Sequence, residues 1–165
     1  MHFQQYGSRC RVWVPPEVKE PMQFHHPTRE SIGYFGAVRI RDGKFVYKLE
    51  EDMFNAKTFW SFLQLLRQKS YRSGTRVIVL LDNSKYHHGR LHKDWRSFFD
   101  DEFHCEYLPP YSPDLNPIER IWKLTRRLCI HNRYFPSLKS VIASVENQFV
   151  HWAEANEELR RLCAI

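Results

Sequence analysis

Arg76-Val77-Ile78-Val79-Leu80-Leu81 is an almost unbroken apolar run that stops abruptly at Asp82. Such a run predicts a strand buried on both faces, because a strand wetted on one side alternates apolar with polar residues. A doubly covered strand needs helices above and below it. Asn55 can cap a helix reaching about Ser70, with Phe59, Phe62, Leu63 and Leu66 on one face. A second helix is expected from Leu91 to Phe99. A third should begin at Pro117, behind Asn116 as its cap, and reach about Ile130. The last is expected after Pro136-Ser137, burying Leu138, Val141, Ile142, Val145, Phe149 and Trp152. Ser31 to Ile40 and Phe45 to Leu49 flank Asp42-Gly43 and read as a hairpin. Short strands are expected at Arg11 to Val14, ended by Pro15-Pro16, and at His104 to Leu108. The order predicts a mixed α/β domain.

The length of 165 residues fits one domain able to bury roughly 70% of its unfolded surface. Hydrophobic residues at 42% exclude wholesale disorder. No apolar run approaches the ~20 residues that span a bilayer, and Met1-His2-Phe3-Gln4-Gln5 lacks the features of a signal peptide. Cys10, Cys105, Cys129 and Cys163 form no C-x-x-C pair. They read as reduced thiols of a cytoplasmic protein rather than a zinc site. The net charge is +6, and its informative part is local. Arg120, Lys123, Arg126, Arg127, Arg133 and Lys139 share a stretch without an acidic residue. Such a block suits a phosphate backbone, or is simply a solvated basic face.

Two carboxylates stand where chemistry is usually placed. Asp82 ends the apolar strand, and strand ends of α/β sheets gather ligands. Glu119 lies in the first turn of a helix behind Pro109-Pro110-Tyr111-Ser112-Pro113-Asp114-Leu115-Asn116-Pro117, a loop stiffened by four prolines. Facing carboxylates can hold Mg²⁺, which takes hard oxygen ligands and lets substrate phosphate complete its shell. Plainer readings stand beside this one. Asp82-Asn83 can turn the chain. Glu119 can close a capping box on Asn116, or pair with Lys123 one helical turn on. His87, His88 and His92 read as a polar loop near the site rather than a metal site, since no third ligand is evident.

The stretch Val79-Leu80-Leu81-Asp82-Asn83-Ser84-Lys85-Tyr86-His87-His88 resembles the second-aspartate motif of DDE transposases. Leu108 to Lys123, through Pro-Pro-Tyr-Ser-Pro and Asn-Pro-Ile-Glu, resembles their third-carboxylate motif. The likeness is to the bacterial insertion-sequence branch of the mariner superfamily. It extends over Gln5 to Pro15, Phe35 to Val38 and Leu128 to Phe135, so it covers essentially the whole chain. It implies a ribonuclease H-like fold: a mixed sheet with flanking helices. It also implies two Mg²⁺ or Mn²⁺ ions, with Asp82 and Glu119 as catalytic metal ligands. Their work in the family is cutting DNA at transposon ends and joining the freed 3′-hydroxyl to target DNA. DNA contacts are expected from Arg120, Lys123, Arg126, Arg127, Arg133, His87 and His88.

One departure qualifies these expectations. The family's first aspartate lies in an Asp-Glu-x-His-Phe pattern, and only its His-Phe end is matched, by His2-Phe3. The expectation is therefore a single catalytic domain over residues 1–165, lacking most of the first central strand and any helix-turn-helix region. Such a chain would be an inactive or partial transposase. The alternatives are a fragment that inhibits by binding DNA or transposase, and a relic. Expected partners are transposon-end and target DNA, a second copy or the full-length transposase, and no membrane.

Overall fold

The computed structural model describes residues 1–19, 22, 24–110 and 112–164. Two sheets carry the fold. The first has the order β1 (His2–Gln4), β2 (Ser31–Val38), β3 (Phe45–Glu50), antiparallel throughout. The second pairs β4 (Val77–Leu81) with β5 (Phe103–Tyr107) in parallel. Between them in sequence lies α1 (Ala56–Ser70), and α2 (Lys93–Phe98) connects β4 to β5. Three helices follow: α3 (Pro117–Thr125), α4 (Leu138–His151) and α5 (Glu157–Leu162).

The layers follow from β2. Tyr34 faces one side and joins Phe45, Trp122, Phe149 and Trp152 in a core under α3, α4 and α5. Phe35 faces the other side and joins Phe59, Phe62, Leu63 and Leu66 under α1. The doubly buried strand is thus β2. The expectation that β4 is covered on both faces is corrected: Ile78 and Leu80 are 61% and 41% exposed. Their apolar character reflects β-propensity and a cleft described below, not a second helical layer over β4. Close layering also explains Gly36. A Cβ there would lie 2.5 Å from the Trp122 ring, so only hydrogen lets the indole pack on the strand.

Local signals worked where the chain supplies its own caps. The Asn55 side chain accepts from the Lys57 and Thr58 amides, as expected for α1. Ser137 and Ser140 form a reciprocal box at the start of α4. The hairpin turns through Gly43 at φ 72°. Three further expectations need correction, and one helix is additional. Arg11 to Val14 is not a strand; Val12 and Trp13 are exposed, because among the described residues no neighbouring strand pairs with them. The helix expected from Leu91 to Phe99 is regular only over α2, preceded by 3₁₀ turns at Lys85–His88 and Arg90–His92. The helix from Pro117 widens into a π-helical stretch at Arg126–Ile130. Asn156 caps an unexpected α5, whose Glu157 pairs with Arg160 and Arg161.

Candidate active site

Asp82 follows the last residue of β4, so the strand delivers its carboxylate to the sheet's end. The next residues hold it there. Its Oδ1 accepts the Ser84 amide at 2.9 Å. The His87 Nδ1 lies 2.9 Å both from that carboxylate and from the Asp82 carbonyl. The His87 contact is the chief reason that the Asp82 pKa falls well below the usual carboxylate range; burial opposes it and Ser84 assists. The group is therefore ionised throughout the neutral range. His87 is itself buried, packed on Phe59 at 4.2 Å between ring centres. Its carbonyl accepts the Tyr107 hydroxyl at 2.8 Å, which ties the turn to β5. Replacing His87 by alanine is expected to raise the Asp82 pKa toward an ordinary aspartate; a carboxyl ¹³C titration reads the change.

Glu119 comes from the other side. It sits in the first turn of α3, where the helix dipole favours an anion. The capping box is not formed: the Asn116 side chain makes no cap bond, and the Glu119 amide instead bonds the Asn116 carbonyl at 3.1 Å. No Glu119–Lys123 ion pair is present among the described residues. Its carboxylate is thus not consumed by either plain reading. Asp82 and Glu119 together line a hollow of about 210 Å³ with Asn83, Leu108, Pro109, Ser112 and Asn116. Asn83 donates to the Leu108 carbonyl, pinning the β4 end to the proline loop. No sequence signal marks that clip, since it joins residues 25 apart in the chain. Tyr111 of the loop motif lies outside the described residues. The two carboxylates also line a larger cleft of about 430 Å³ with Met1. Burial lowers the Met1 amine to about 6, with Glu119 and Asp82 pulling the other way.

The remaining expected residues separate. His88 stacks on Tyr107 at 4.3 Å. His92 is fully buried, bonded through Nε2 to the Tyr86 carbonyl at 3.0 Å. Among the basic residues, Lys123, Arg127, Arg133 and Lys139 are exposed. Arg120 instead donates to the Leu162 and Ala164 carbonyls, and Arg126 contacts the Met1 sulfur.

The sequence model of the DDE superfamily endonuclease matches residues 1–142, which include both carboxylates. The chain belongs to that family. It is 26% identical over 95 residues to the insertion element IS630 39 kDa protein of Shigella sonnei, covering 56% of this chain and 27% of that one. It is 28% identical over 74 residues to protein y4pE/y4sA of Sinorhizobium fredii, covering 45% and 51%. The chain spans about half or less of the length of these curated relatives. Its fold matches a Mos1 mariner paired-end complex with Mn at a TM-score of 0.69 and 22% identity, over 99% of this chain and 49% of that one. These similarities agree with the insertion-sequence branch of the mariner superfamily that the motifs resemble, and with the ribonuclease H-like, mixed α/β expectation. Among the described residues, no helix is long and apolar enough to cross a membrane.

Proposed function

We propose that this chain is the catalytic-fold part of a transposase, with Asp82 and Glu119 as the ligands of a divalent cation in DNA transposition. The observation that carries this reading is the convergence of a strand-end aspartate and a helix-start glutamate on one hollow. The donor set fits Mg²⁺ or Mn²⁺, which need only one or two protein carboxylates beside water and phosphate oxygens. A bound ion would supply positive charge to the attacking and leaving oxygens of a phosphodiester. His87 and Ser84 keep Asp82 ionised and fixed in direction. The proline loop and α3 fix Glu119.

No group of three or more His, Cys, Asp or Glu that could hold a metal occurs among the described residues. Two carboxylates bind an ion less tightly and leave the in-line geometry unsecured. We therefore propose that the 165-residue chain alone binds DNA and the ion without cutting. Incubation with transposon-end DNA and Mg²⁺ should leave the DNA intact; nicking abolished by Asp82→Asn would overturn the inactivity. Lys123, Arg127 and Arg133 are exposed on one stretch following Glu119 and are assigned to the DNA backbone. Replacing all three by alanine should weaken DNA binding and flatten the plot of log affinity against log salt, by roughly 0.9 for each phosphate that is no longer neutralised. An unchanged slope removes them from the interface.

A further inference from the structure

A chain of polar contacts starts on α2 and ends on Asp82. Arg96, in that helix, donates from its guanidinium to the Tyr107 hydroxyl. Tyr107, the last residue of β5, donates in turn to the His87 carbonyl at 2.8 Å. The proton inventory gives these contacts one direction. A guanidinium has only donors, so the Tyr107 oxygen accepts from Arg96 and its single proton is left for His87. At the far end, His87 Nδ1 lies 2.9 Å from two acceptors, the Asp82 carbonyl and carboxylate, so Nδ1 carries a proton. Backbone pairing does not reach this far: the β4–β5 register stops at Leu81 and Tyr107, one residue short of Asp82.

We propose that Tyr107 and Arg96 are positioning residues for Asp82: they fix the Lys85–His88 turn, and with it the His87 ring that aims the carboxylate at a cation. The inference rests on the cation reading of Asp82 and Glu119. Groups behind a metal ligand matter because an ion binds tightly only where its oxygen donors are already aimed. Tyr107 is suited to the task. Its ring packs against the core under α1, and His88 stacks on it, so the phenol is held from two sides. Arg96 is half-buried and pairs with no carboxylate among the described residues. Its Nε is buried without a hydrogen bond. A cation taken out of water usually recovers the cost from an anion. Here the hydrogen bond that its side chain makes goes to Tyr107 instead, and through it to the turn that carries His87.

Mn²⁺ affinity of the full chain, read by paramagnetic broadening, tests this together with the nuclear magnetic resonance spectrum of the His87 ring. Tyr107→Phe keeps the stacked ring and removes the hydroxyl. It should weaken Mn²⁺ binding about tenfold and abolish the slowly exchanging proton signal at His87 Nδ1. Arg96→Met, which leaves Tyr107 in place, should weaken binding less. Arg96→Lys, which can still donate to the phenol, should restore it. In a His87→Ala background, Tyr107→Phe should change affinity by less than about twofold, because the ring through which it acts is gone. Val141→Ala, in the core beneath α4, should lower Tm without altering affinity, which separates positioning from a general loosening of the fold. Unchanged affinity in Tyr107→Phe overturns the proposal. So does an undiminished loss in the His87→Ala background, or an equal loss in Val141→Ala. A chain without saturable Mn²⁺ binding overturns the cation reading and this inference with it. Binding that Asp82→Asn removes and Tyr107→Phe leaves intact overturns this inference alone.

Discussion

Exchanging both carboxylates for amides, Asp82→Asn with Glu119→Gln, is expected to eliminate saturable Mn²⁺ binding, read as loss of paramagnetic broadening around the β4 end. The fold should survive. Asp82 is largely exposed and Glu119 half-buried, and the substitutions are close to isosteric. Each single exchange should weaken binding about tenfold or more, since a hard cation loses an anionic oxygen for a neutral one. The pH dependence carries a defined sign. The Asp82 pKa is depressed in the folded chain, so its carboxylate remains available below the pH at which a free aspartate protonates. Stability from its contacts to His87 and Ser84 is present above the unfolded pKa near 3.9 and is lost as pH falls toward the lower folded value. Broadening that persists in the double variant would place the ion elsewhere.

Phe149→Ala is expected to cost about 3–5 kcal/mol, the range for removing a buried aromatic ring. Phe149 is fully buried and its ring meets Tyr34, Phe45, Tyr47, Trp122 and Trp152. These partners come from β2, β3, α3 and the end of α4. The hole therefore opens where four elements meet, and relaxation of any one is limited by the others. For a chain of this size the loss corresponds to a fall in Tm of about 6–20 °C. The adjacent Val150 is 63% exposed, and Val150→Ala should change stability by no more than about 0.5 kcal/mol. Similar losses at both positions would mean that α4 does not dock through Phe149.

Several elements were legible because their causes are local. Asn55 with Phe59, Phe62, Leu63 and Leu66 specifies both the start and the buried face of α1, and both appear. Ser137 and the spacing from Val141 to Phe149 do the same for α4. Asp82 and Glu119 could be picked out because the first ends an apolar run and the second follows a stiff proline loop. The motifs around them supplied the pairing, which periodicity did not contain.

Other features depend on what lies across the fold. Val77 to Leu81 reads as doubly buried, yet half of it faces a cleft, because apolar sequence cannot say whether a covering layer exists. Arg11 to Val14 has strand composition but, among the described residues, no partner strand. His87, read as a phosphate-facing loop residue, is buried against Phe59 and directed at Asp82. Sequence alone determined the starts and buried faces of α1 and α4 and the two acidic positions, since neighbours within a few residues decide those. Only the tertiary structure decided which strand is covered on both sides, which histidine fixes the aspartate, and that Asp82 and Glu119 share one hollow. Those outcomes rest on contacts between residues far apart in the chain, and only packing brings them together.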